Sequence, residues 1–231
     1  KEKMMTLRST HVLKTALGSL SLLVLGLLPF ADAAEESSLN VLFIGNSYTA
    51  RHNLAKIVKS MAEAGNPGLT FNITSVIYGG RRLVDHWRLG TANFVTLSTL
   101  TAEEEKATIA ALKEMIVKDP EDKYAKGALR KHESLLKTLG EPPRPTWDIV
   151  VLQSYRDDLK GEASLYAQYA PKFAELIKGQ KGRVILYETS PTTQNAKPLT
   201  APPTPEPVMT KEKAIAALAD RVGADVVPMA L

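Results

Sequence analysis

Hydrophobic positions along this chain follow two periods in turn. Asn40-Val-Leu-Phe-Ile-Gly45 is a continuous apolar run ending in glycine, the pattern of a strand buried on both faces. Asn53 to Ala64 then places Leu54, Ile57, Val58 and Met61 on one helical face. Leu69 to Tyr78 alternates and is rich in β-branched residues, which predicts a second strand. From about Thr101 to Leu139 the pattern is helical, with Lys/Glu-rich faces around Ile109, Leu112, Met115 and Ile116. Pro120 divides this block into two helices, the second carrying Leu129, Leu135, Leu136 and Leu139. Pro142, Pro143 and Pro145 end it and lead into a third strand, Trp147 to Gln153.

The alternation continues to the end of the chain. Ala163 to Lys178 reads as a helix, Arg183 to Glu188 as a strand, and Thr210 to Val222 as a helix after a proline-rich loop, Pro198 to Pro207. Ala224 to Pro228 reads as a fifth strand. Strand–helix alternation of this kind requires right-handed crossovers and a sheet covered by helices on both faces. The expected fold is therefore α/β: a three-layer, flavodoxin-like sandwich with a mostly parallel sheet of about five strands. The helical block at about 101–139 is longer than an ordinary crossover and reads as an insertion or cap.

The first residues belong to a different class. Arg8, His11 and Lys14 precede an apolar run from Ala16 to Phe30, followed by Ala31-Asp32-Ala33. A positive segment, a short apolar stretch and a small-residue cleavage site describe a secretory signal peptide. A permanent anchor is the alternative, but the run is shorter than the roughly 20 residues a spanning helix needs. Residues 1–33 are thus expected to be removed, leaving 34–231 as one domain in a secreted or periplasmic protein. The chain opens Lys-Glu-Lys before Met4 and Met5 and stops at Leu231 directly after the fifth strand, which reads as C-terminally incomplete.

Composition narrows the chemistry. With 231 residues, 44% hydrophobic and 23% charged, the chain can bury an ordinary core. Four basic and two acidic residues of the leader supply half of the net charge of +4, so the domain is close to neutral. That balance offers no electrostatic case for a nucleic-acid partner. There is no cysteine, which excludes disulfides, thiolate nucleophiles and thiolate-held metals within these residues. No metal or other cofactor is expected.

Open parallel sheets hold ligands beyond the carboxyl ends of their strands, and three polar clusters sit at such ends: Gly45-Asn46-Ser47-Tyr48-Thr49, Gly79-Gly80 and Gln153-Ser154. Ser47 falls where a strand turns into a helix, so its hydroxyl would lie beside amides able to favour developing negative charge. Taken alone, the cluster also reads as ordinary helix capping. Gly79 and Gly80 could let backbone approach a ligand, or could simply form a tight turn. Gln153 could be a satisfied core amide or a donor facing the cleft.

The order GNSYT, YGGRRLVDHW, WDIVVLQSY resembles the first three sequence blocks of the SGNH (GDSL-like) hydrolase superfamily. It is most similar to an exported bacterial branch with Gly-Asn-Ser-x-Thr and Leu-Gln blocks, over Asn40 to about Leu231. The resemblance implies Ser47 as the nucleophile towards an ester carbonyl. It implies an oxyanion hole from the N–H groups of Ser47 and Gly80 and a side-chain N–H of Gln153. Gly80 is preferred over Gly79 because a polar helix start follows it. Asn46 and Gly79 would border the substrate. The implied substrate is a small-molecule ester or an acylated carbohydrate, which makes a carbohydrate deacetylase one expectation.

One departure bears on activity. The family's base is a histidine with an aspartate three residues earlier, in a block after the last strand. His52, His86 and His132 are the histidines after the leader, and none has that aspartate. A serine without a base is a weak nucleophile, so these residues alone are expected to be inactive. The alternative function is a non-catalytic carbohydrate- or acyl-ligand-binding domain on the same fold. His86, which follows Asp85, reads as a polar helix residue, and Glu103-Glu104-Glu105-Lys106 as a solvated helix start. Gly79-Gly80-Arg81-Arg82 could hold an anion at a helix start, and Asp157-Asp158 reads as surface capping.

Overall fold

The computed structural model describes residues 36–155, 164–189 and 206–228, all within the compact unit Glu36–Leu231. The expected signal peptide, Asp157-Asp158 and all but the last two residues of the Pro198–Pro207 loop lie outside the described residues. In chain order the elements begin with β1 (Ser37–Gly45), α1 (Ser47–Ala50), a 3-10 turn (Arg51–Asn53), α2 (Leu54–Gly65) and β2 (Leu69–Ile77). Four helices follow: α3 (Leu83–Arg88), α4 (Thr91–Val95), α5 (Ala102–Lys118) and α6 (Lys123–Thr138). The rest is β3 (Ile149–Leu152), α7 (Leu165–Gly179), β4 (Arg183–Tyr187), α8 (Glu206–Val222) and β5 (Asp225–Val227).

The five strands lie in the order β2-β1-β3-β4-β5, and every pairing is parallel. This is the flavodoxin-like order, and the sheet is wholly parallel, not mostly so. Strand β1 explains its own unbroken apolar run. Leu42 and Ile44 enter a core shared with Val150, Leu152, Val184, Leu186 and α7 residues such as Phe173. Val41 and Phe43 enter a second core with Phe71 and Ala55 of α2. Leu42, Ile44, Leu152 and Leu186 have no exposed surface, and each such side chain contributes roughly 1.5–3 kcal/mol over an exposed one.

Helices α3 and α4 had no counterpart in the sequence pattern. They have six and five residues, fewer than two turns, so no periodic window exists to reveal them. The two-helix reading of the insertion holds. Thr101 caps α5 in a box with Glu104, and Asp122 caps α6 by accepting from the Tyr124 and Ala125 amides at 2.9 Å.

The buried residues of α6 are Ala125, Ala128 and His132, not the leucines it carries. Nor is the α5 start wholly solvated. Glu105 has no exposed surface, and its Oε1 lies 2.7 Å from Nδ1 of the equally buried His132. Its other oxygen accepts from the Asn93 amide at 2.7 Å, and His132 Nε2 donates to the Leu89 carbonyl at 3.0 Å. One proton therefore sits between His132 and Glu105, and this cluster ties the insertion to the α3–α4 turn. Gly90 makes room for it: a side chain there would come within 2.5 Å of Thr108 and 2.8 Å of His132.

Candidate active site

Strand order reverses between β1 and β3, because the chain leaves β1 for β2 on one side and returns to β3 on the other. The carboxyl ends at such a switch point frame a crevice. Here they present Gly45-Asn46-Ser47 and Gln153-Ser154, with Ile44 paired to Leu152 and the Gln153 amide donating to the Ile44 carbonyl at 2.9 Å.

Asn46 joins all three loops. Its backbone N–H donates to Gln153 Oε1 at 2.8 Å, and its Nδ2 donates to the Arg81 carbonyl at 2.9 Å. Its Oδ1 accepts from the Tyr48 N–H at 3.0 Å, which caps α1. These partners fix the amide orientation, since a flip would set Nδ2 against an N–H and Oδ1 against a carbonyl. Asn46 is fully buried, so it orders the crevice from beneath and does not border it openly.

Gln153 is also fully buried. Its Oε1 accepts a second bond from the Thr49 hydroxyl at 3.0 Å, and its Nε2 donates to the Ser154 carbonyl. The space beside Oε1 is filled. A side chain at Gly45 would come within 2.3 Å of Thr49 Oγ1 and 2.7 Å of Gln153 Oε1, so glycine is required there. Ser154 in turn accepts from the Leu83 N–H at 3.2 Å, which brings the start of α3 against β3.

Ser47 is exposed at the first position of α1. First-turn amides have no acceptor within their own helix. Because α1 has only four residues, its dipole is weak and local N–H groups dominate. After β2 the chain turns at Tyr78–Arg81, closed by the Arg81 N–H on the Tyr78 carbonyl at 3.1 Å. Gly80 takes φ +66° at the third position, the left-handed conformation that glycine adopts freely. A Cβ added at Gly79 or Gly80 would meet nothing within 4 Å, so both glycines border open space. Asn46, Ser47, Gly79, Gly80 and Gln153 are thus brought to one end of the sheet.

His86 was not foreseen in this role. It is fully buried, not a polar surface residue of its helix. Its Nε2 lies 3.0 Å from the Gly45 carbonyl and its Nδ1 3.1 Å from the Thr91 hydroxyl. A carbonyl only accepts, so Nε2 carries the proton and Nδ1 accepts from Thr91. Burial lowers its pKa to about 4 despite the Gly45 bond and nearby Asp85, so the ring is neutral at pH 7. The Gly45 carbonyl also accepts from the Tyr78 N–H at 3.0 Å, and His86 thereby clamps the end of β1. One signal was present in the sequence: Leu83 and His86, three residues apart, share a helical face.

Two further features frame the site. Among the described residues no side chain hydrogen-bonds the Ser47 hydroxyl, and no cluster suited to a metal ion occurs. At the end of β4, Glu188 is buried with neither carboxylate oxygen hydrogen-bonded among the described residues, and burial, followed by nearby Glu212, raises its pKa. At the start of α3, weighed above as an anion site, a carboxylate already stands in the first turn. That helix has six residues, and the Asp85 carboxylate already accepts from the Arg82 N–H at 2.9 Å.

No protein-family model matches the chain, and no curated protein matches it. Among solved structures it is similar to a candidate SGNH hydrolase from Slackia heliotrinireducens, at 18% identity and a TM-score of 0.46. That likeness covers 84% of this chain and 80% of the other. The fold assignment rests on strand order and connectivity, independently of this neighbour.

Proposed function

We propose that the crevice at the ends of β1, β2 and β3 is the active site of an SGNH-type serine ester hydrolase acting on small acyl esters, acylated carbohydrates among them. The observation that carries the reading is the Asn46 hub, which brings an exposed serine, a glycine turn and a buried amide to the sheet's switch point. In this reading the Ser47 hydroxyl attacks the acyl carbon and its proton passes to a base. The N–H groups of Ser47 and Gly80 hold the carbonyl oxygen as it becomes negative. Gln153 has a second Nε2 hydrogen beyond the one given to Ser154, and the resemblance assigns that hydrogen to the same oxygen. The C–O bond then breaks, the alcohol leaves with the proton, and water releases the acid.

None of the three described histidines, exposed His52 included, follows an aspartate by three residues as the resemblance requires of the base. His86 is neutral with both nitrogens engaged, and His132 is paired with Glu105. The reading therefore assigns little turnover to these residues alone. The full-length gene product, exported to the periplasm or medium in this reading, is expected to hydrolyse 4-nitrophenyl acetate. Ser47→Ala should lower kcat/KM at least 1000-fold with an unchanged unfolding midpoint, and equal rates would reject Ser47 as nucleophile.

The unaddressed Ser47 hydroxyl favours one alternative, a binding domain that keeps the crevice for a carbohydrate or acyl ligand without turnover. Saturable ligand binding by a full-length product with no Ser47-dependent hydrolysis would establish it. Among the described residues no helix is long and apolar enough to cross a membrane.

A further inference from the structure

A groove of about 580 Å³ opens beside the Gly79-Gly80 turn, between the carboxyl end of β2 and α6. Ile77, Tyr78 and Gly79 form one wall, and Lys123, Arg130 and Lys131 stand along the other. No residue lining it is acidic. Among the described residues none of these three cations forms an ion pair, whereas Lys59, Arg82, Arg88 and Lys113 each have a carboxylate partner. Unpaired like charges on one helix repel, so an anion bound among them would relieve that repulsion.

Two more observations point to an oxygen-rich occupant. Tyr78, a lining residue, is 4% exposed, and its phenol oxygen has no hydrogen-bond partner among the described residues. Gly127, inside α6, also lines the groove. Glycine costs a helix about 1 kcal/mol relative to alanine. A Cβ there would approach only Arg130, at 3.9 Å, so the missing side chain serves space, not packing. The groove is also coupled to the crevice. Arg81, whose carbonyl holds Asn46, lays its guanidinium 4.3 Å from the centre of the Tyr124 ring, which forms part of the groove.

We propose that this groove is a subsite for an anionic group, a carboxylate, sulfate or phosphate, carried by the ligand at a distance from its acyl ester. The inference rests on the proposed reading for the ester but not for the anion. The crevice end of the groove lies at Gly79, next to the turn assigned to the oxyanion, so one molecule could occupy both. Because the three cations are exposed, anion binding must weaken with salt.

The test uses the full-length product and a triple variant, Lys123→Gln with Arg130→Gln and Lys131→Gln. Lys126→Gln, exposed on α6 but outside the groove, is the control. Titration calorimetry with inorganic phosphate should show binding that falls at least tenfold in the triple variant and is unchanged in the control and in Ser47→Ala. In kinetics, O-acetyl glucuronic acid should exceed O-acetyl glucose at least tenfold in kcat/KM, and the triple variant should erase that preference. Absent phosphate binding, or binding that survives the triple variant, overturns the groove. Ser47-dependent turnover without preference for the charged ester also overturns it while leaving the hydrolase standing. Groove-dependent phosphate binding without any turnover supports the groove and removes the hydrolase.

Discussion

Two histidines of this protein have no exposed surface, yet their surroundings give them opposite tasks. His86 faces a carbonyl and a hydroxyl, with no carboxylate bonded to it, and stays neutral as a clamp on β1. His132 faces a carbonyl and the Glu105 carboxylate, with a proton held between ring and acid. The histidine with the acidic partner lies in the helical insertion, and the one behind the candidate nucleophile loop has none. Nearness to a serine does not make a histidine a base; the second nitrogen's partner decides what the first can do.

The largest expected effect separates the pair. Glu105→Ala removes the acceptor of His132 Nδ1 and one of the two acceptors of the Asn93 amide from a buried site, which should cost about 3–5 kcal/mol. Urea unfolding would measure it, and a loss below about 1 kcal/mol would mean that water reaches the cluster. His86 should be distinguished by pH. An unfolded imidazole takes up its proton near 6.5, while buried His86 does so only near 4. Its contribution is therefore complete above pH 6.5, drains away as pH falls towards 4, and changes no further below that. Between pH 7 and 4.5 the parent should lose about 2–3 kcal/mol more than His86→Gln, whose amide can still donate to Gly45. Parallel curves for the two proteins would contradict a neutral buried ring.

The smallest effect sharpens the clamp. Thr91→Val keeps the shape but removes the hydroxyl that His86 Nδ1 accepts from, leaving a buried acceptor unmet at a cost of about 1–3 kcal/mol. Differential scanning calorimetry should show a lowered midpoint for this variant. No change would place the Nδ1 partner elsewhere.

Much of this architecture was legible before any coordinates, for a physical reason. Strands buried on both faces must be continuously apolar, so β1 and β3 announced themselves, and their polar ends marked where loops converge. Pro120 separated α5 from α6 because proline lacks the amide a helix interior needs. What stayed hidden was tertiary. Glu105 and His132 are 27 residues apart, and no local pattern marks a charged side chain that finds its partner at that distance. The same holds for Asn46, whose capping role was readable from its neighbours while its bond to the Arg81 carbonyl was not. Helices α3 and α4 were too short to carry a period, although the Leu83–His86 spacing hinted at a buried face.

The bond from the Asn46 amide to Gln153 spans 107 positions of chain. A crevice closed by so distant a contact cannot exist as a local nucleus; it arises only when β1 and β3 have already met. Loop-closure entropy rises only as the logarithm of loop length, about 0.6 kcal/mol per doubling. The helical insertion between those strands could therefore lengthen or shrink at little entropic cost. Evolution is free to rebuild the outer wall of the cleft while its floor stays the same.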